Sequence, residues 1–203
     1  MSKIKTVVFD LGGVLIDWNP RHLYRKIFTS EAEMERFLSE VCTPEWNVQQ
    51  DGGKLFSTAT AELTAKFPDH AANIALYYDR WEEMLGGELK ETVDILNELK
   101  SAGMPLYALT NWSHEAFPAA YERYAFMKQF DGIVVSGFEG LLKPGHEIYR
   151  LLISRYNINP ADSVYIDDNK ANADAAAELG FHVIHFTSAE QLRDELKVLG
   201  LSV

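Results

Sequence analysis

The chain has 203 residues, of which 47% are hydrophobic and 24% charged, with a net charge of -11. Such a composition is that of a folded globular protein rather than a disordered one, and the acidic balance argues against nonspecific binding to nucleic acid or to an anionic membrane surface. The lone cysteine, Cys42, permits neither an intrachain disulfide nor a multi-cysteine metal site; with no apolar run of bilayer length and no basic-then-apolar leader, a cytoplasmic location is expected.

The first expected element is a strand. Lys3-Ile4-Lys5-Thr6-Val7-Val8-Phe9 is rich in β-branched and apolar residues, ends on Asp10 and is followed by Leu11-Gly12-Gly13. Ile16-Asp17-Trp18-Asn19-Pro20 breaks the pattern. From about 21 to 87 the periodicity is helical. Leu23, Ile27, Met34, Phe37, Leu38 and Val41 share one spacing, Leu55, Ala59, Leu63 and Phe67 another, and a third helix over 71–84 carries Ile74, Tyr77, Tyr78 and Trp81. No strand is expected here, and the segment is too long for a simple crossover.

After Gly86-Gly87, helices and strands alternate. Helices are expected over 89–99, 114–124, 147–156, 172–179 and 189–199. Strands are expected over 106–110, 132–136, 163–167 and 182–186. This order describes an α/β fold, a doubly wound parallel sheet with a small all-α insertion. The core would comprise 1–16 and 88–203, and the cap 17–87.

Chemistry is expected where the strands end, because parallel strands present their carboxyl ends on one rim. The first strand delivers Asp10, the second Thr110 and Asn111, and the fourth Asp167-Asp168-Asn169; the link after the third carries Lys143-Pro144. Asp10 alone could be a metal ligand, a nucleophile or a helix cap. Asp167 and Asp168 could simply open the following helix. Set beside Asp10, they make a cluster of negative charge that calls for a hard divalent cation, Mg²⁺ above all. Lys143 could snorkel to solvent, or orient Asp10 and pair with a substrate oxyanion. Thr110 and Asn111 could mark a turn or donate to an oxyanion.

These stretches, taken in order, resemble the haloacid dehalogenase superfamily of aspartate-nucleophile hydrolases with a helical C1-type cap. The matching motifs are Phe9-Asp10-Leu11-Gly12-Gly13-Val14-Leu15, Leu109-Thr110-Asn111, Lys143-Pro144 with Glu147-Ile148-Tyr149, and Tyr165-Ile166-Asp167-Asp168-Asn169 with Asn172. The resemblance implies a Rossmann-like core, Asp10 as nucleophile, Thr110 and Asn111 as phosphate donors, and Lys143 as the orienting cation. It also implies Mg²⁺ held by the Asp10 carboxylate, the Gly12 carbonyl and Asp168, with Asp167 direct or through water. The expected substrate is a small phosphorylated metabolite, hydrolysed through an aspartyl-phosphate; no nucleic-acid or membrane partner is implied.

One position departs from the phosphatase pattern. Phosphatases of this superfamily usually carry a second aspartate two residues after the nucleophile, and here that position is Gly12. Its absence removes general acid-base help worth about 10²–10⁴-fold. Metal-independent 2-haloacid dehalogenases also lack that aspartate, and would want a cap arginine, for which Arg21, Arg25 or Arg36 are available. Against this, Asp167-Asp168 resembles the sugar-phosphate phosphatases, including those acting on glucose 1-phosphate. A weakly active binding descendant is the third reading.

The cap should set substrate choice. Trp46-Asn47-Val48-Gln49-Gln50-Asp51-Gly52-Gly53 reads as a polar interhelical loop from which Gln50 and Asp51 would reach substrate. Asp51 is the first candidate for a replacement acid and Asp17 the next. Trp18 and Trp112 could stack on substrate or fill the seam between cap and core. His114 and His146 lie near motifs, with surface roles expected.

Overall fold

The computed structural model describes residues 4–203; Lys3, with which the first expected strand opens, lies outside the described residues. Five strands make a parallel sheet in the order β5-β4-β1-β6-β7: β1 Thr6–Phe9, β4 Leu106–Thr110, β5 Gly132–Val135, β6 Ser163–Asp167 and β7 His182–His185. The strand that carries Asp10 is therefore central, flanked by the strands that carry Thr110 and Asp167. In the register, Phe9 lies beside Ala108 and Ile166, so Asp10, Thr110 and Asp167 come within one residue of a common level.

Alternation along the strands sends side chains to two cores. Val7, Phe9, Ala108, Val164 and Ile166 face α6 (Lys90–Ser101), α7 (Phe117–Arg123) and α11 (Ala189–Val198). Val8, Leu109 and Tyr165 face α9 (His146–Tyr156) and α10 (Lys170–Glu178), where Ile148, Tyr149, Leu152 and Ala176 are fully buried. Both faces are covered, which is why these strands read as continuous apolar runs.

The insertion has its own apolar cluster. Leu23, Tyr24, Met34, Phe37, Trp46, Leu63, Ile74 and Tyr77 pack together from α1 (Arg21–Tyr24), α2 (Glu31–Glu40), α3 (Pro44–Asp51), α4 (Phe56–Lys66) and α5 (Ala71–Asp79). Cys42 is buried in that cluster as a packing residue. Two expectations need correction here. The break at 16–20 and the glycines at 86–87 form an antiparallel ribbon, β2 Ile16–Trp18 on β3 Leu85–Glu88, through which the chain enters and leaves the cap. Neither strand carries the apolar β-branched run that marks the others, and Gly86-Gly87 reads as a stop. The expected loop at 46–53 is mostly the helix α3. Thr43 caps it by accepting from the Trp46 N–H, and Pro44 opens its first turn.

Candidate active site

Asp10 follows β1 and its backbone N–H donates to the Ile166 carbonyl, which holds it between the two neighbouring strands. One carboxylate oxygen, Oδ1, accepts from the Leu11 N–H at 2.7 Å and lies 3.0 Å from Lys143 Nζ. The other, Oδ2, takes part in no hydrogen bond among the described residues. Burial pushes the Asp10 carboxyl up to about 7, with Asp167 and Asp168 adding to the rise and Lys143 opposing it.

Lys143 does not snorkel; it is 3% exposed. Nζ donates to the Leu109 carbonyl at 3.0 Å and to Asp167 Oδ2 at 2.7 Å, and its third partner is Asp10. The ammonium is thus shared between one carbonyl and two carboxylates, which fix its position. Burial lowers the Lys143 pKa, but Asp10 and Asp167 outweigh it and hold the ammonium above its ordinary range. Asn111 clamps the same residue: Oδ1 accepts from the Lys143 N–H at 2.9 Å and Nδ2 donates to its carbonyl at 3.0 Å. Its side chain is thereby a positioning group for Lys143 more than a phosphate donor. The Thr110 hydroxyl, by contrast, has no partner among the described residues and lines the cavity.

Asp167 is fully buried and saturated with donors. Oδ2 accepts from Lys143 and, at 2.8 Å, from the Tyr165 hydroxyl; Oδ1 accepts from the Asn169 N–H at 2.9 Å and from Asn172 Nδ2 at 3.1 Å. No side chain donates to the Asp168 carboxylate among the described residues, and burial followed by the Asp167 charge raises its pKa. Asp10, Asp167 and Asp168 each offer a carboxylate oxygen within 4.8 Å of the others. Three carboxylates against one ammonium leave an excess of negative charge, and oxygen donors suit a hard divalent cation, so this donor set fits Mg²⁺. Asp10 and Asp168 have oxygens to spare for it, whereas Asp167 is occupied in holding Lys143. Gly13, with φ of 76°, lets the loop pass close: a Cβ there would come within 2.3 Å of Asp168 Oδ2.

Above these groups lies a cavity of about 410 Å³ between the cap and the carboxyl ends of the strands. Asp51 lines it from the end of α3, its carboxyl held by Asn47 Nδ2 at 3.1 Å and by the Ser113 N–H. Burial pushes Asp51 up to about 7. The Ser136 hydroxyl fixes this corner by donating to the Asp51 carbonyl at 2.5 Å while accepting from the Trp112 N–H at 2.9 Å. Other expected residues are not brought there. Gln50 is completely buried in the cap, accepting from the Tyr78 hydroxyl at 2.6 Å, and does not line the cavity. Asp17 faces His22 at 2.9 Å. Arg21 pairs with Glu35 and Arg25 with Glu31, and among the described residues no arginine lines the cavity. His146 pairs with Glu178 and His114 packs against Phe138, both outside the cavity. Trp18 and Trp112 both line it.

Sequence reasoning passed over Tyr165, Ser136 and the aromatic wall of the cap. The signal for Tyr165 was available, since residues i and i+2 of a strand share a face and so put it beside Asp167.

Residues 4–180 match the family model of haloacid dehalogenase-like hydrolases, and the chain belongs to that family. It is therefore a hydrolase, with the Rossmann-like core and capping insertion expected from its motifs. Among curated relatives, a sesquiterpene phosphatase of Aspergillus oryzae is 26% identical over 98% of this chain and 97% of its own length. Among solved structures, a predicted HAD-like hydrolase from Porphyromonas gingivalis superposes with a TM-score of 0.74 at 22% identity, all of both chains being covered. A HAD family enzyme from Bacteroides thetaiotaomicron, in complex with magnesium and inorganic phosphate, gives a TM-score of 0.68 at 22% identity over 91% of this chain and 95% of its own. No helix among the described residues is long and apolar enough to cross a membrane.

Proposed function

We propose that this hydrolase is a Mg²⁺-dependent phosphatase that cleaves a small phosphate monoester through an aspartyl-phosphate on Asp10. The observation that carries the reading is the asymmetry of Asp10, whose Oδ1 is pinned by Leu11 and Lys143 while Oδ2 has no partner among the described residues and lies beside two further carboxylates. Asp10, Asp168 and the Gly12 carbonyl would hold the metal, with Asp167 in support through Lys143 and bound water. When bound, Mg²⁺ neutralises the acidic cluster and draws the phosphate toward Asp10.

The Asp10 carboxylate attacks phosphorus as the bond to the alcohol oxygen breaks. The Thr110 hydroxyl donates to a phosphoryl oxygen. Asp51, in its protonated form, gives its proton to the departing oxygen, taking the part that Gly12 cannot. Its carboxylate then takes a proton from the water that attacks phosphorus, which frees Asp10 and releases inorganic phosphate. The full-length relative named as a phosphatase supports this reading. The dehalogenase alternative finds no arginine in the cavity lining among the described residues and leaves three carboxylates against the single Lys143 ammonium.

Phosphate release from a panel of monoesters tests the proposal. It should require Mg²⁺, stop in chelator and vanish in Asp10→Asn. Activity indifferent to chelator, or halide release from 2-haloacids without metal, would overturn it.

A further inference from the structure

The walls of the cavity divide by chemistry. The floor, at the strand ends, holds every group assigned above to phosphate and metal. The cap side presents Trp18, Phe56, Tyr77, Tyr78, Trp81 and Met84, and Trp112 and Ala116 continue that surface on the core side. Phe56 and Tyr78 are stacked with ring centroids 3.7 Å apart and planes 9° from parallel, so the wall is a built surface.

The polar atoms on this side are mostly bonded to one another. The Tyr78 hydroxyl is spent on Gln50 and Asn47, and the Asn47 amide on Asp51. Indole and phenol donors remain, but Asp51 is the one acidic acceptor facing them. A polyol brought here would bury more hydroxyl donors than Asp51 and the few remaining hydroxyls can accept, which costs more than it gains. A second anionic group fares worse. Among the described residues Lys143 is the single cation in the lining, and it is already engaged with a carbonyl and two carboxylates on the floor.

Resting on the phosphatase reading, we infer that the alcohol of the substrate is apolar, an alkyl or arylalkyl chain with no second anion and no run of hydroxyls, and that the aromatic wall of the cap selects it. A sugar phosphate, and a carboxylate-bearing phosphate ester, are thereby disfavoured.

The test compares n-butyl, n-hexyl and n-octyl phosphate with glycerol 3-phosphate and glucose 6-phosphate, all esters of primary alcohols, so that leaving-group basicity is held nearly constant. The full chain with Mg²⁺ should show kcat/KM rising roughly fourfold per added methylene until the cavity is full. Trp18→Ala, at a position 40% exposed, should flatten that dependence. A flat alkyl series, or preference for either polar ester, overturns the inference. Affinities of the matching alkylphosphonates, read by tryptophan fluorescence, separate the two claims. No phosphate release from any ester, with phosphonate affinity still rising with chain length, defeats the phosphatase reading alone; affinities independent of length defeat the apolar site.

Discussion

Lys143 Nζ lies 3.0 Å from Asp10 Oδ1 and 2.7 Å from Asp167 Oδ2, so one buried ammonium holds two carboxylates of the rim in place. Removing it leaves both acids unpaired in a desolvated site. Lys143→Met should cost about 3–5 kcal/mol of stability by denaturant unfolding and abolish turnover. Lys143→Arg should not restore activity, because a planar guanidinium cannot reproduce three donors from one nitrogen.

The raised Asp10 pKa has a sign that can be measured. The folded, metal-free protein holds this proton more tightly than the unfolded chain does, so the contribution to stability is present below the ordinary carboxylate range and is lost as pH rises toward about 7. Binding Mg²⁺ requires the carboxylate form. The metal should therefore bind more weakly as pH falls below about 7, and the thermal shift it produces should be larger at pH 8 than at pH 5.5.

Asp51→Asn should reduce kcat by about 10²–10⁴-fold for alkyl phosphates, and far less for an ester such as p-nitrophenyl phosphate whose leaving group needs no proton. The wild-type rate for alkyl phosphates should decline above about 7 as the Asp51 proton is lost, and the variant should lack that limb. Equal losses for both esters would show that Asp51 only shapes the cavity.

Gly12 and Gly13, which follow Asp10 and Leu11, should respond in opposite ways. A side chain at Gly12 meets nothing within 4 Å, so Gly12→Asp has room for an acid and should raise the rate with alkyl phosphates. At Gly13 the added Cβ strikes Asp168 and the backbone is left-handed, so Gly13→Ala should weaken Mg²⁺ binding. Calorimetric titration of Mg²⁺ into both variants checks the contrast.

The cap helix α4 has no side-chain cap of its own, and its Phe56 N–H donates at 2.6 Å to Glu115, a residue of the core. Glu115→Ala removes that bridge and should cost about 1 kcal/mol. Because Phe56 belongs to the cavity wall, KM should rise more than kcat falls.

The strand ends were legible because β-branched runs stop abruptly at polar residues, and the parallel order puts those stops on one rim. The division between Gln50 and Asp51 was not, since it needs α3 to be recognised as a helix. Thr43 followed by Pro44 is a start signal, and i, i+4 spacing then pairs Trp46 with Gln50 toward the cap interior and Asn47 with Asp51 toward the cavity. Lys143 shows a different limit. Lysines ordinarily reach solvent, and only the assembled triad of Leu109, Asp10 and Asp167 provides for burying this one. The β2–β3 ribbon was hidden by its composition, since Ile16-Asp17-Trp18 and Leu85-Gly86-Gly87-Glu88 lack the apolar β-branched run of the other strands.

The account turns on where the phosphoryl group goes. Acid-quenched enzyme, caught during turnover of an alkyl phosphate, should carry the mass of one phosphoryl group on the peptide containing Asp10. That label should be absent in chelator and in Asp10→Asn. Turnover with no label on that peptide, or with the label on another residue, would contradict the assignment of Asp10 as nucleophile.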